Sequence, residues 1–199
     1  MVDQIDKPTE KPRLTVAQFI VKKRVFFGFV FAAVFLILAQ PTLLTVAIGF
    51  PLGALGLAVR AWSSGLIRKN KVLATQGPYA MTRNPLYVGS FIAGCGAVIM
   101  GGNIWFAIVF VITYLTVYRQ IILNEERDLA GYFPDEWPAY TKQAPRFFPD
   151  LRKFSGFGQY DAALMLKKHK EWQAWLGYTA VAIVLLTKAL ALWQVTISW

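Results

Sequence analysis

The sequence predicts an all-α protein, a polytopic membrane bundle of about five spanning helices with its N-terminus in and its C-terminus out. Three observations carry this. Hydrophobic residues make up 56% of the 199-residue chain against 16% charged, and the mean hydropathy of +0.43 is too high for an ordinary soluble domain. Apolar stretches recur at residues 25–39, 42–59, 86–100, 104–123 and 175–191. The basic residues sort to one side of those stretches.

Residues 1–24 read as a tail and an interfacial segment. Met1 to Pro12 is polar, mixed in charge and interrupted by Pro8 and Pro12, which is not the pattern of a secretory signal, and it is expected to fray. Residues 16–24 turn apolar with a basic end and lead into the first helix. A hydrocarbon core of roughly 30 Å asks for about 20 residues per helix, so the first and third stretches need flanking residues to span. The second stretch carries Gly49, Gly53 and Gly56 at helical spacing, a close-packing stripe assigned to the first helix or a partner subunit. Residues 25–149 form the membrane core, and residues 150–199 add a basic interfacial segment and the last helix.

Positive residues in short loops stay cytoplasmic. Of the 21 basic residues, all but Lys188 precede the first helix, lie from Arg60 to Arg83, or follow the middle of the fourth helix from Arg119 to Lys170. The opposite connections, Gln40-Pro41 and Gly101-Gly102-Asn103, are uncharged. Lys188, near the outer end of the last helix, is expected to snorkel to the headgroups. Because the bases flank membrane segments, the net charge of +10 points to anionic lipid headgroups as partners and away from nucleic acid. One cysteine, Cys95, and one histidine, His169, give no ligand set for a metal, and none is expected. The oligomeric state is left open.

Two polar signatures stand at the ends of one hairpin. The first runs from Gly77-Pro78-Tyr79 to Arg83-Asn84-Pro85-Leu86-Tyr87-Val88-Gly89. Gly77-Pro78 is a turn, and Asn84-Pro85 sets a capping side chain before a proline at the first helical position. The helix end then turns amides and a positive dipole toward the interface, with Arg83 beside it and Tyr79 and Tyr87 supplying aromatic faces. Taken alone this is equally a capped helix with a snorkelling arginine and belt tyrosines. The second signature is Glu125-Glu126, costly after an apolar helix unless it meets water, a partner or a ligand; a solvated pair bonded to Arg119 or Arg127 is the plain alternative. Between them, Gly94 and Gly96 flank Cys95 and either open space for a ligand or let helices pack closely.

At about 1.5 Å per residue the fourth helix overshoots the third by roughly 9 Å, which brings Glu125 and Glu126 beside the Tyr79-to-Arg83 turn. Aromatic walls, an anion-binding helix end and two carboxylates suit a zwitterion with ribose hydroxyls, a description that S-adenosylmethionine meets.

Gly-Pro-Tyr, Arg-Asn-Pro-x-Tyr-x-Gly, Glu-Glu and the ending from Tyr140 to Pro145-Arg146-Phe147 together resemble the integral-membrane methyltransferases of the isoprenylcysteine carboxyl methyltransferase and phospholipid N-methyltransferase superfamily, over residues 45–149. The resemblance implies S-adenosylmethionine as donor, held at the cytoplasmic face by Arg83, Asn84, Pro85, Tyr87, Gly94, Gly96, Glu125 and Glu126. Asn84 stands where many relatives carry histidine, which excludes a histidine base, and Phe133-Pro134 replaces a usual Phe-Gly. A lipophilic acceptor, either a phospholipid amine or an isoprenylcysteine-like carboxylate, would enter laterally. Arg146 is the candidate to hold an anion of the acceptor, and Glu126 or Tyr140 to take a proton from an amine. The alternative is an NADPH-dependent membrane reductase of the sterol reductase type, which shares a similar Arg-x-Pro-x-Tyr segment.

Overall fold

The computed structural model describes residues 16–68 and 71–197; the tail before residue 16, Lys69 and Trp199 lie outside the described residues. The chain is all-α. Its elements are α1 (Val16–Leu38), α2 (Leu43–Ser64), α3 (Pro78–Met81), α4 (Pro85–Met100), α5 (Ile104–Tyr132), α6 (Trp137–Gln143), a 3-10 turn (Leu151–Lys153), a π turn (Leu164–Lys168) and α7 (Trp172–Ile197). All five apolar stretches are helical. Among the described residues, Leu43–Ser64, Ile104–Tyr132 and Trp172–Ala191 are long and apolar enough to cross a membrane, while Phe26–Leu38 and Pro85–Met100 are shorter apolar helices. α4 is short because both ends are fixed in sequence, by Asn84-Pro85 and by the Gly101-Gly102 turn, where Gly102 takes φ +66°.

The core forms where α1, α2, α4 and α7 meet, around Phe35, Leu57, Met100 and Leu185. α2 starts on a capping box between Thr42 and Thr45. Thr45 also donates to the Met100 carbonyl at 3.2 Å, joining that helix start to the end of α4. Pro51 interrupts α2, and there the Tyr178 hydroxyl of α7 donates to the carbonyls of Gly49 (2.9 Å) and Phe50 (3.1 Å). These bonds tie α7 to α2 within one turn of the carbonyl of Ala47, whose helical donor Pro51 removes.

The glycine stripe of α2 packs on α4, not on α1. Gly89, Ala93 and Gly96 repeat the spacing of Gly49, Gly53 and Gly56, and the antiparallel stripes face each other. A Cβ on Gly49 would lie 2.5 Å from the Gly96 carbonyl oxygen, and one on Gly56 would lie 2.5 Å from that of Gly89. The stripe finds its match on α4 because α4 carries the complementary run of small residues, which α1 lacks. Lys188 also departs from expectation. Its Nζ donates to the carbonyls of Ile37 (2.8 Å) and Leu36 (3.3 Å), closing the C-terminal end of α1 with a cation where the helix dipole is negative.

At the opposite end, residues 144–161 run back across the helix ends. Asp161 N–H bonds the Gly65 carbonyl at 2.9 Å, Asp150 N–H the Met81 carbonyl at 2.9 Å, and the Trp62 indole donates to the Phe157 carbonyl at 2.8 Å. The segment after residue 149, expected as an appendage, is tied into the bundle at α2 and α3.

Candidate active site

Helix α5 continues nine residues' worth of helix past the apolar run, to Tyr132, so Glu125 and Glu126 sit within it, not after it. On a helix, adjacent residues point about 100° apart. Their environments differ accordingly. Glu126 is buried at 7% exposure, whereas Glu125 faces outward.

Glu126 is the centre of a four-residue cluster. Its Oε1 accepts from the Asn84 side-chain amide at 3.2 Å and lies 3.5 Å from Arg83 Nε; its Oε2 accepts from Arg146 Nε at 3.0 Å. Arg119 and Arg127, the plain partners for the acidic pair, are exposed and pair with neither acid. Asn84 occupies the N-cap position of α4, yet its side chain makes no capping bond. Instead its amide donates to Glu126 and to the Arg146 carbonyl, the latter at 2.9 Å. The expected cap is thus a cross-link between three chain segments, and the Asn84 backbone N–H itself reaches the Thr82 hydroxyl at 3.4 Å.

Glu125 accepts from the Tyr87 hydroxyl at 2.6 Å. Behind this bond runs an aromatic wall between α4 and α5. Tyr87 meets Tyr118 edge-on at 5.5 Å, Tyr118 stacks on Tyr114 at 4.0 Å, and Phe91 contacts both Tyr114 (5.3 Å) and Phe147 (5.9 Å). Tyr114 donates to the Tyr87 carbonyl at 2.7 Å, fixing the wall to the first turn of α4.

The segment Pro145-Arg146-Phe147 is strapped onto the α3–α4 turn. Arg83 N–H bonds the Pro145 carbonyl at 2.9 Å, and the buried Thr82 hydroxyl lies 3.1 Å from the Phe147 carbonyl. Arg146 remains half-exposed at 48% while Arg83 is buried at 11%. Arg83 also lies over the Trp137 ring at 5.8 Å. Tyr140 is a strut: its hydroxyl donates to the Tyr79 carbonyl at 2.9 Å, joining α6 to α3. Burial, and the nearby Glu126 carboxylate, push its phenol above the ordinary range against the opposing pull of Arg83.

Arg83, Asn84, Pro85, Tyr87, Glu125, Glu126 and Arg146 therefore converge. Gly94 and Gly96 do not join them. A Cβ on Gly96 would meet the backbone of α2, and one on Gly94 the Phe110 ring, so the space they were expected to open is filled by protein. A hollow of about 450 Å³ is lined by Gln143, Phe148 and Lys153 among others, and neither Glu125 nor Glu126 lines it. Sequence reading did not single out Arg60, Ser90 and Glu171. Arg60 and Glu171 form a bidentate pair, Arg60 Nε to Oε2 at 3.1 Å and Nη2 to Oε1 at 3.0 Å, and Arg60 Nη1 donates to the Ser90 hydroxyl. The available signal was Glu171 itself, a lone acid after Lys167-Lys168-His169-Lys170 and directly before an apolar helix.

Fold and site together define an integral membrane protein with a cross-linked acid, amide and guanidinium cluster at one end of a helical bundle. Residues 44–136 match the phospholipid methyltransferase family. The chain is 35% identical over 120 residues to the cobalt-zinc-cadmium resistance protein CzcN of Cupriavidus metallidurans, covering 59% of this chain and 54% of that one. It is 35% identical over 81 residues to protein-S-isoprenylcysteine O-methyltransferase of Schizosaccharomyces pombe, covering 41% and 34%. The same enzyme of Mus musculus is 32% identical over 80 residues, covering 40% and 28%. The chain is thus similar to integral-membrane methyltransferases over its central part, residues 44–136. It spans about half the length of the metal-resistance relative and about a third of the two methyltransferases. No solved structure matches. Tyr140, Arg146 and Glu171 all lie beyond the matched residues.

Proposed function

We propose that this chain transfers a methyl group from S-adenosylmethionine to a lipophilic acceptor, a phospholipid amine or an isoprenylcysteine-like carboxylate, at the cytoplasmic face of a membrane. The observation that carries the reading is the convergence of Glu125 and Glu126 from α5 on Asn84 and Tyr87 of α4, closed over by Arg146.

The donor set fits. Glu125 is an exposed carboxylate with one hydrogen-bonded partner and capacity for a hydroxyl or an ammonium. When bound, S-adenosylmethionine supplies an electrophilic methyl on a sulfonium. The protein's part is alignment and exclusion of water. Glu126 holds Arg83 and Arg146 in place; the wall of Tyr87, Tyr114 and Tyr118 keeps one side dry. An amine acceptor must give up a proton, and the carboxylate free to take it is Glu125, since Glu126 is committed to two guanidiniums and Tyr140 is a committed donor. The bases gathered at this end of the bundle, Arg83, Arg152 and Lys153 among them, favour the cytoplasmic side and anionic headgroups around the site.

Calorimetric titration of detergent-purified protein with S-adenosylhomocysteine and separately with NADPH tests the donor. Binding of the first and not the second is expected; the reverse would replace methyl transfer with reduction. Mass spectrometry of lipids from cells with and without the chain then identifies the acceptor by added methyl masses.

A further inference from the structure

Among the described residues three buried side-chain atoms make no hydrogen bond, Arg83 Nε, His169 Nε2 and the Tyr79 hydroxyl, and of these the hydroxyl is the uncharged donor beside the candidate site. The Tyr79 hydroxyl is enclosed and finds no hydrogen bond. Burial first, and then the negative neighbours Tyr140, Glu125 and Glu171, hold its phenol well above the ordinary range, with Arg60 pulling the other way. It is therefore a neutral O–H donor without an acceptor, within electrostatic reach of both the candidate site and the Arg60–Glu171 pair.

Arg60 has spare donors as well. A guanidinium carries five N–H groups, and its three bonds to Glu171 and Ser90 leave two uncommitted. Its side chain is 26% exposed while that of Glu171 is 6% exposed, so the carboxylate is the fixed partner and the guanidinium has the open edge. Two features hold it there. Arg60 crosses α4 over Gly89, where a Cβ would come within 2.8 Å of its Cγ. Lys170, at φ +52°, turns the chain out of the π turn so that Glu171 enters the bundle ahead of α7.

A buried hydroxyl with no acceptor and a guanidinium with free N–H groups make a site of donors that lacks an oxyanion. We propose that Tyr79 and Arg60 form the subsite for the anionic group of the methyl acceptor, with Glu171 as the residue that positions Arg60. The group is an oxyanion, either the phosphate of a phospholipid headgroup or the carboxylate of a lipidated cysteine. The proposal rests on the methyl-transfer reading, moves Tyr79 from the donor side to the acceptor side, and makes the segment leading into α7 part of the site.

The test uses the full chain in nanodiscs. Native mass spectrometry, with no donor present, compares binding of phosphatidylethanolamine with that of diacylglycerol, and of N-acetyl-S-farnesylcysteine with that of its methyl ester. Wild type is expected to prefer, in one pair, the member that carries the oxyanion, the phosphate or the free carboxylate, which identifies the source of that group. Tyr79→Phe and Arg60→Gln should weaken that member's binding roughly tenfold or more while its neutral counterpart and S-adenosylhomocysteine bind as before. Tyr79→Phe should also raise the unfolding midpoint, because it removes a hydroxyl that the ligand-free protein leaves unpaired; a structural role would lower it. Glu171→Gln should reproduce the loss in part. No preference for either oxyanion-bearing lipid, or a loss of S-adenosylhomocysteine affinity equal to the loss for lipid in Tyr79→Phe, overturns the subsite. Failure of wild type to bind S-adenosylhomocysteine strikes the methyl-transfer reading instead, and the lipid comparison still decides the subsite.

Discussion

Substituting each acid of the pair by glutamine separates support from binding. Glu126→Gln keeps shape and an acceptor for Asn84 but removes the charge shared by Arg83 and Arg146. Removing one member of a buried ion pair costs about 3–5 kcal/mol. Arg146, at 48% exposure, turns to water and recovers part of that; Arg83, at 11%, does not. A net loss of about 2–3 kcal/mol follows, which at roughly 2–4 °C per kcal/mol for a chain of this size lowers the melting midpoint by about 4–12 °C. Glu125→Gln loses only an exposed bond to Tyr87, about 1 kcal/mol or less. Its effect falls on the ligand: a lost charge-assisted bond of about 1.5–3 kcal/mol weakens S-adenosylhomocysteine binding roughly ten- to a hundredfold. The assays are thermal unfolding in detergent followed by tryptophan fluorescence, and calorimetric titration of the same preparations. Equal midpoints for the two variants, or a larger loss of midpoint in Glu125→Gln, would show that the cluster around Glu126 does not bear the load assigned to it.

Three further outcomes are expected. Gly56→Ala drives a methyl into the Gly89 carbonyl and should destabilise by about 1–3 kcal/mol, whereas Gly131→Ala, with open space around it, should be neutral or stabilising by up to about 1 kcal/mol; urea unfolding of both decides. Arg146→Lys keeps a charge but loses the planar fork, so turnover should fall far more than donor affinity, and steady-state kinetics beside donor titration would expose wild-type behaviour as a refutation. Tyr79 and Tyr140 have phenols held above their unfolded value of about 10, so the stability they contribute is intact below that pH and is lost as pH rises through the folded values; Tyr140→Phe removes one such titration, so its stability should fall less steeply with alkaline pH than that of wild type, while at neutral pH it is lower by about 1 kcal/mol for the lost bond to Tyr79, both read by urea unfolding across pH.

What the sequence made legible was whatever depends on local pattern and on length. Five apolar runs gave five helices, and the difference in length between the third and fourth brought Glu125 and Glu126 to the turn at Arg83. That placement needs only the rise per residue and a tight connection at Gly101-Gly102. The direction of a side chain at a given depth was not legible. Asn84 read as a cap because an asparagine before a proline usually is one, yet its side-chain N–H groups donate to a buried carboxylate and to the carbonyl of residue 146, and in that orientation its oxygen caps no amide of α4. Lys188 read as snorkelling, and its bond to the open end of α1 was not legible because it depends on how α7 packs against α1.

The two acids illustrate the limit most clearly, because sequence treated them as one motif and the fold gives them opposite work. The rotation of one residue along α5 turns Glu126 to the strap and Glu125 to the aromatic wall. Glu126 then makes Arg83, Asn84 and Arg146 a rigid frame at the mouth of the bundle, and a frame of that kind has no spare valence for a ligand. Glu125 keeps its capacity because its one partner, the Tyr87 hydroxyl, is itself fixed through the Tyr114 bond to the Tyr87 carbonyl. Rigid support on one side and an unsaturated carboxylate on the other is what alignment chemistry requires, since a methyl transfer in line leaves the protein little to do except hold its reactants still.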